Sequence, residues 1–481
     1  MNAIQRGEGV NPYGQSQVYV GSFALPLLTF FSLHIVLALA MHESRALATI
    51  HAFAILVLGT WWALSSHQSL ERVAYVGAYI TGAEVLWRMN HAQIFWEFGK
   101  YSMVWVFILA LLRRRCLKWP IAMATYLAVQ IPSIAFTVAS LSTEDARSQI
   151  SFTLSGPLAL VVSTWFFSHV TLSRSQLRNL LVVIVGPIMG ISATIITSIL
   201  GNSSDLLFNP NASNPITSGG FGPNQVSAML GLGALAVFLL IVTNKLSMAT
   251  RLTLIATAAL LGAQSALTFS RGGLYGAGVG IMLGSLFLLR DARSRLKLIF
   301  AAGLLLVVAL YILFPALDTL TSGGITARFY NPNLTGRDEL ISGDLELWAA
   351  SPIFGVGVGL ADYQRQATTA LNSYSVVTAH TEFSRLLAEH GMFGLIALVL
   401  LIMVSLRNIR RMPTPVDRGV MVAFIGWSFT FMANIAMRVA APSFLFGLTS
   451  IHSIVDEPTG LSRSVIDHRN MLSIEVPRCV E

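Results

Sequence analysis

The chain has 481 residues, of which 54% are hydrophobic and only 11% are charged, and its mean hydropathy is +0.66. Soluble globular proteins carry about 25% charged residues. The composition therefore excludes a soluble enzyme, a disordered protein and a coiled coil, and it indicates a polytopic membrane protein. A net charge of +8 is also compatible with nucleic-acid binding. The orientation of membrane spans explains the basic residues more simply, so we expect no nucleic-acid partner.

Apolar segments follow one another along most of the chain, and a spanning helix needs about 20 such residues. The segments are 18–40, 47–64, 70–87, 101–112, 119–139, 152–170, 178–199, 223–243, 251–268, 272–290, 297–315, 392–406, 419–437 and 439–455. The fourth segment is short, and the last two share a turn at Arg438. The sequence therefore predicts an all-α, polytopic transmembrane helix bundle of about 12–14 spans.

The basic residues predict how this bundle is oriented. If the N-terminus is cytoplasmic and the spans alternate, roughly two-thirds of the Lys and Arg residues fall on the cytoplasmic side, as the positive-inside rule requires. The turn-rich segment Gly201–Gly222 and the polar segment 315–379 then lie outside the cytoplasm. The second segment is one large extracytoplasmic loop, and loops of this length are usually functional.

Three regions follow from this reading. Residues 1–222 contain N-terminal transmembrane helices with short loops, and residues 223–455 form a C-terminal transmembrane core that includes the loop 315–379. Residues 456–481 are polar, lack periodicity and are expected to form a cytoplasmic tail. Because the long loop lies in the second region, we expect chemistry there.

His380 lies where the large loop meets the next apolar helix. A histidine at the mouth of a membrane cavity can take a proton from a hydroxyl at neutral pH, because the unperturbed pKa of its side chain is near 6.5. Taken alone, an interfacial histidine that caps a helix or binds water is the more common case.

Two arginines on the same side are further candidates. Arg271 stands between two apolar spans and precedes Gly272 and Gly273. An arginine at that depth is costly unless it is paired or faces a wet cavity, although a long side chain can also reach the interface. Arg337 lies in the large loop, and arginine binds phosphate bidentately. Two arginines could hold a pyrophosphate leaving group while a histidine activates an attacking hydroxyl.

Other polar residues nearby are secondary candidates, namely Arg328, Glu382 and Glu389. The acidic run from Asp338 to Glu346 could bind a divalent cation, but a solvated loop surface explains it more simply. Because arginines can neutralise a pyrophosphate, we expect neither a metal site nor a cofactor.

Several short motifs occur in an order that resembles a known family. They are Gly-Pro-Asn-Gln at 222–225, Ser-Arg-Gly-Gly at 270–273, Thr-Gly-Arg at 335–337, Pro-Ile-Phe-Gly-Val-Gly-Val-Gly at 352–359, and His380 with Gly391 and Gly394. With this topology, the chain from about Pro223 to Ile402 resembles the O-antigen ligase and Wzy-type polymerase superfamily of bacterial envelope glycosyltransferases.

The resemblance implies a metal-independent, inverting transfer of a glycan from undecaprenyl pyrophosphate to an acceptor hydroxyl. It implies that His380 is the base and that Arg271 and Arg337 bind the pyrophosphate. The setting would be the bacterial inner membrane, with the active site facing the periplasm. The expected partners are a lipid-linked oligosaccharide donor, a glycan or lipid A-core acceptor, and membrane lipids.

The acceptor stays open between two members of the superfamily. The residue after the histidine is Thr381, where ligases often have Asn, Ser or Gln, whereas the spacing to Gly391 matches the ligase pattern. We expect a ligase-like enzyme, with a polymerase of the same chemistry as the alternative. A lipid-linked sugar transporter or flippase is less favoured, because we see no internal repeat and Glu84 is the clearest acid within a predicted span.

Overall fold

The structure is a computed structural model that describes residues 24–65, 70–116, 118–331, 336–368 and 381–455. Within these ranges the chain is almost entirely helical, with one small parallel sheet. The predicted all-α bundle is therefore confirmed. His380 and the predicted tail lie outside the described residues.

Between residues 24 and 201, the described part of the chain forms eight α-helices and one strand. They are α1 (Ala24–Glu43), α2 (Arg45–Leu64), α3 (Leu70–Met89), α4 (Phe98–Arg114), α5 (Ile121–Ala128), α6 (Ile134–Ser140), α7 (Thr143–Phe167), β1 (Thr171–Ser173) and α8 (Arg174–Gly201).

The rest of the described chain forms twelve α-helices, two short 3-10 helices (Ser203–Asp205 and Ile216–Ser218), a π-helical turn (Ala309–Leu313) and a second strand. The α-helices and the strand are α9 (Pro223–Thr243), α10 (Met248–Leu267), α11 (Gly272–Leu288), α12 (Ala292–Val308), α13 (Phe314–Leu320), α14 (Gly324–Tyr330), α15 (Arg337–Ala350), α16 (Ala361–Thr368), α17 (Glu382–His390), α18 (Met392–Arg411), α19 (Pro415–Ile435), α20 (Ala440–Leu448) and β2 (Ser453–Val455).

Among the described residues, eight helices are long and apolar enough to cross a membrane. Every predicted apolar segment contains helix, including the shorter ones. The segment 119–139 is divided into α5 and α6 around Pro132, because proline cannot continue a helix with full hydrogen bonding. The last segment forms only the short helix α20 before the chain reaches β2.

Helix α9 lies at the centre of the bundle, buried along most of its length between α8, α10 and α11. Helix α11 packs along α19, and α20 packs against α7. Strands β1 and β2 pair in parallel, with Thr171 opposite Ser453. Their pairing places the ends of α7 and α20 at one end of the bundle, which agrees with the predicted alternation of spans.

Where the structure describes it, the large loop contains the short helices α14 to α16, whereas α13 continues the candidate span of α12 up to Leu320, and α17 leads into α18. We call the end of the bundle that carries these helices the loop end. The acidic run in this loop is only partly solvated. Asp338, Glu339 and Glu346 are exposed, but Asp344 is buried and paired with Arg365. The expectation of a purely solvated surface was therefore wrong at Asp344.

Candidate active site

Three arginines come together at the loop end, and we call Arg271, Arg328 and Arg337 the arginine cluster. They come from the start of α11, from α14 and from the start of α15. Burial and then the charge of Arg271 lower the pKa of Arg337. Burial lowers the pKa of Arg328 as well, followed by the charges of Arg271 and Arg337. The cluster therefore concentrates positive charge where an anion would be stabilised.

Close packing between α9 and α11 sets the position of Arg271. A Cβ atom on Gly273 would lie 1.9 Å from the carbonyl oxygen of Ser227, so only glycine permits this approach. The Ser227 hydroxyl donates to the carbonyl of Ser270 at 2.8 Å, and the Ser270 hydroxyl donates to Asn224 Oδ1 at 2.8 Å. These hydrogen bonds therefore connect the Gly-Pro-Asn-Gln motif to the Ser-Arg-Gly-Gly motif beside Arg271.

Arg271 and Arg337 each contact a different part of the loop end. Arg271 Nη1 donates to the carbonyl of Asn331 at 2.6 Å. Arg337 Nη1 donates to Asn434 Oδ1 at 2.7 Å, and the Asn434 side chain donates in turn to the carbonyl of Thr430 at 2.6 Å. Helix α19 therefore orients Arg337, through a residue that the sequence did not single out.

Arg328 is buried, and its side chain hydrogen-bonds to backbone carbonyls of two other segments. Its Nε donates to the carbonyl of Phe269 at 2.8 Å, and its Nη1 donates to the carbonyl of Pro210 at 3.1 Å. Phe269 has a left-handed backbone with φ of 57° and stacks on Phe208. Arg328 thereby joins α14 to the turn before Arg271 and to the loop that follows α8.

The predicted base cannot be placed, because His380 lies outside the described residues. The next residue, Thr381, caps α17: its hydroxyl accepts the backbone N–H of Ser384 at 3.2 Å. Threonine is a good N-cap because its oxygen satisfies one of the unpaired N–H groups of the first turn. His380 therefore immediately precedes the N-cap of a well-anchored helix.

Glu382 and Glu389, the two acidic candidates, are both buried and share Arg385. Arg385 Nη2 lies 2.5 Å from Glu382 Oε1, and Arg385 Nη1 lies 2.8 Å from Glu389 Oε2. Burial raises the pKa of Glu389 to about 7, against the opposing charge of Arg385. Burial disfavours the charge on Arg385, but Glu382 and Glu389 outweigh it and raise its pKa.

A second buried ion group ties the loop helices to α17. Arg365 pairs with Asp344 and Asp362, and the Ser384 hydroxyl donates to Asp344 Oδ2 at 2.6 Å. This connects α15, α16 and α17. The sequence showed Asp344 only as one of a row of loop acids, because its partner Arg365 lies on a different helix.

The glycine-rich motif 352–359 packs against the end of α17 and forms backbone hydrogen bonds with it. The backbone N–H of Val356 donates to the carbonyl of Ala388 at 2.9 Å, and that of Gly357 donates to the carbonyl of Glu389 at 3.1 Å. Gly355 has φ of +69°, and a Cβ there would lie 2.3 Å from the backbone of Glu389. The motif therefore fixes α17, and with it the start of the helix next to His380.

His390, at the end of α17, has a different environment. It is fully buried, and its Nδ1 lies 2.5 Å from the Ser133 hydroxyl oxygen. Burial, followed by the charge of Arg385, lowers its pKa to about 3, so the ring is neutral at physiological pH. We interpret it as a packing residue between α17 and the chain before α6.

A cleft opens beside α17, and charged and polar side chains line it. These include Thr153, Asp362, Glu382, Arg385 and Arg438. Burial lowers the pKa of Arg438, while Asp362 raises it. Nothing in the sequence indicated that Arg385 and Arg438 share a site, because they are 53 residues apart in the chain. Their shared cleft depends on how α17 packs near the turn between α19 and α20.

This arrangement combines a cationic cluster with a buried ion group at one end of the bundle. The cluster suits an anionic phosphate group, because guanidinium groups donate several directed hydrogen bonds. Among the described residues, no group of three or more His, Cys, Asp or Glu side chains could hold a metal ion.

One comparison with known proteins gives a match. Residues 256–399 match the family model Wzy_C, described as O-Antigen ligase. The matched region runs from α10 into α18 and contains the whole arginine cluster. No curated protein sequence matches the chain.

Proposed function

We propose that the chain is an inverting, metal-independent membrane glycosyltransferase of the O-antigen ligase and Wzy-type polymerase superfamily, which the match of residues 256–399 to the O-antigen ligase family model supports. It moves a glycan from polyprenyl pyrophosphate, undecaprenyl pyrophosphate in bacteria, to an acceptor hydroxyl. The catalytic core is residues 223–455. The reaction occurs at the outer face of the inner membrane, where the loop end faces the periplasm.

The observation that carries this proposal is the arginine cluster. Three guanidinium groups from the ends of separate helices lie close enough to repel one another, with Arg328 buried and Arg337 partly buried. Mutual repulsion makes such a cluster costly, so it favours a bound polyanion. The departing pyrophosphate gains negative charge in the transition state, and fixed cations stabilise that charge.

The reaction assigns a role to each predicted residue. His380 takes the proton from the acceptor hydroxyl, whose oxygen bonds to the anomeric carbon. The bond from that carbon to the phosphate oxygen breaks, and inversion follows from attack on the opposite face. Arg271 and Arg337 hold the leaving pyrophosphate, while Arg328 positions the turn before Arg271. Glu382 and Glu389 hold Arg385 and orient α17.

Reconstitution tests this proposal. Purified protein in liposomes with EDTA receives a polyprenyl-pyrophosphate oligosaccharide, with and without a lipid A-core acceptor. A single product that needs the added acceptor identifies a ligase. A ladder of lengthened lipid-linked products from the donor alone identifies a polymerase. If no product forms and labelled lipid-linked sugar crosses the bilayer, a transporter replaces the proposal.

Matched variants separate the roles. We expect His380→Ala to abolish transfer, whereas His452→Ala, an exposed histidine at the other end of the bundle, retains it. Arg271→Gln and Arg337→Gln should raise the donor KM. Arg290→Gln, an exposed arginine at the opposite end of α11, should leave it unchanged. Wild-type transfer by His380→Ala would contradict the assignment of the base.

A further inference from the structure

One group of three buried charged residues lies on α3 and α4, separate from the arginine cluster and from the ion groups on α15 to α17. Glu84 and Arg88 lie on α3 and Lys100 lies on α4, with exposed fractions of 1%, 9% and 0%. Buried charges in a membrane bundle are costly and usually serve a function. The proposed reaction uses none of the three, so their contacts indicate what they do.

Their hydrogen bonds converge on one short segment, residues 436–440, which joins α19 to α20. Glu84 Oε2 accepts the backbone N–H of Ala440 at 2.6 Å, which places a carboxylate at the N-terminus of α20. Arg88 donates to the carbonyl of Arg438 at 3.4 Å, and Lys100 Nζ donates to the carbonyl of Met437 at 3.4 Å. Side chains of α3 and α4 thus hold the backbone of this connection.

The connection has a backbone that needs such support. Ala436 has φ of 54°, in the left-handed region that a residue with a Cβ rarely adopts. Helix α7 packs closely against the same segment, because a Cβ on Gly156 of α7 would lie 2.4 Å from Met437 Cβ. Residues 436–440 are therefore held from both sides in one conformation.

Both parts of the candidate site border this segment. Asn434, which accepts the hydrogen bond from Arg337, lies just before it. Ala436, Met437 and Arg438 line the cleft beside Glu382 and Arg385. A shift of the segment would therefore move the partner of Arg337 and the wall of the cleft together.

Arg88 also contacts the Gly-Pro-Asn-Gln motif, which is hydrogen-bonded to the segment that precedes Arg271. Its Nη1 donates to Gln225 Oε1 at 3.0 Å, and Gln225 follows Asn224, the acceptor for Ser270. Its Nη2 donates to Glu84 Oε1 at 2.6 Å and to the carbonyl of Trp96 at 2.6 Å. The guanidinium also lies 4.2 Å from the Trp96 ring centroid. One planar side chain joins α3, α9 and the 436–440 connection.

We propose that Glu84 and Arg88 are positioning residues, which set the distance between the arginine cluster and the cleft by fixing the 436–440 connection and Gln225. They contact neither the donor nor the acceptor, and they act through Asn434 and through the Asn224–Ser270 contact beside Arg271. The kinetic part of this inference rests on the proposed function, whereas its structural part does not.

The structural part is tested by hydrogen–deuterium exchange of the full-length protein in detergent. Glu84→Gln removes the charge that accepts the Ala440 N–H. We expect exchange in peptides covering 434–441 to become about tenfold faster, as loss of a hydrogen bond to a charged group implies. Asp417→Asn is the control, because it breaks the ion pair between the buried Asp417 and the partly exposed Arg174 at the other end of the bundle. It should leave the exchange of 434–441 unchanged.

Arg88→Lys separates geometry from charge. Lysine keeps a positive charge beside Glu84, but a single ammonium cannot replace the planar set of bonds to Gln225, Trp96 and Arg438. We expect this variant to show the faster exchange as well. If Glu84→Gln does not fold, Arg88→Lys decides the question by the same measurement.

Steady-state kinetics test the link to the site. Glu84→Gln and Arg88→Lys should raise the donor KM about tenfold and change kcat by less than about threefold, because misplaced ligands weaken donor binding. Unchanged exchange at 434–441, wild-type behaviour of Arg88→Lys, or the same changes in Asp417→Asn would each overturn the inference. If the wild type transfers no glycan, the proposed function fails, and the exchange data alone judge the positioning role.

Discussion

Substitution of Gly273 by alanine tests the packing that positions Arg271. The added Cβ would lie 1.9 Å from the Ser227 carbonyl oxygen and 2.5 Å from its hydroxyl oxygen. Carbon–oxygen contacts between helices are normally about 3.3 Å or longer. The two helices must therefore separate locally by roughly 1.4 Å, the difference between this limit and the clash distance.

The free energy of this change can be worked out. Overpacking of a well-packed site costs about 1–3 kcal/mol. Separation of the helices also breaks the Ser227–Ser270 hydrogen bond, which contributes about 1 kcal/mol. Alanine gains about 1 kcal/mol over glycine in helix propensity, which offsets part of the loss. We expect Gly273→Ala to destabilise the protein by about 2 kcal/mol.

Gly278→Ala is the matched control on the same helix. No atom lies within 4 Å of a Cβ at Gly278, so this variant gains propensity without a clash. Unfolding is followed by circular dichroism in mixed micelles as the SDS fraction rises. Gly273→Ala should unfold at a lower SDS fraction than the wild type, and Gly278→Ala at an equal or higher one. Equal midpoints for the two variants would refute the packing argument.

Three further substitutions give separate outcomes. Arg328→Lys should lower the free energy of unfolding by about 2 kcal/mol, because an ammonium cannot hold the carbonyls of Phe269 and Pro210 together. Gly355→Ala should cost at least about 2 kcal/mol, since its φ is +69° and a Cβ would meet the backbone of Glu389. Glu389 has a folded-state pKa of about 7, above the reference value of 4.5, so its ionisation opposes folding. Stability should therefore fall by up to about 1.4 kcal/mol per pH unit as the pH rises from about 4.5 to 7, and Glu389→Gln should flatten that slope.

A control variant or a contradicting result is defined for each of these three substitutions. Gly336→Ala shares a positive φ of +74° but meets no atom within 4 Å, so it should cost less than Gly355→Ala. An Arg328→Lys protein as stable as the wild type would contradict the structural role of that arginine. The pH series needs wild type and Glu389→Gln side by side, and parallel slopes in the SDS midpoints would show that another group titrates.

The sequence alone determined the class of protein and much of its topology. Apolar segments of spanning length predict helices because lipid offers no hydrogen-bond partner to the backbone, and each predicted segment does contain helix. Motif order also indicated the superfamily, and the family match at 256–399 lies inside the predicted region. Arg271 stood out because a charge between apolar spans is rare, and Arg337 stood out as a loop arginine that could bind phosphate. The structure brings them together with Arg328.

Tertiary structure alone decided which side chains support those arginines. Asn434 reaches Arg337 across 97 residues of sequence, and Glu84 reaches the Ala440 N–H across 356. Neither contact has a local pattern, because periodicity reports which face of a helix is apolar and not which helix packs against it. The glycines mark places of close approach, but only the crossing of α9 and α11 showed that Gly273 meets Ser227. The site lies where helix ends distant in the chain meet, and the packing of the whole bundle determines that meeting.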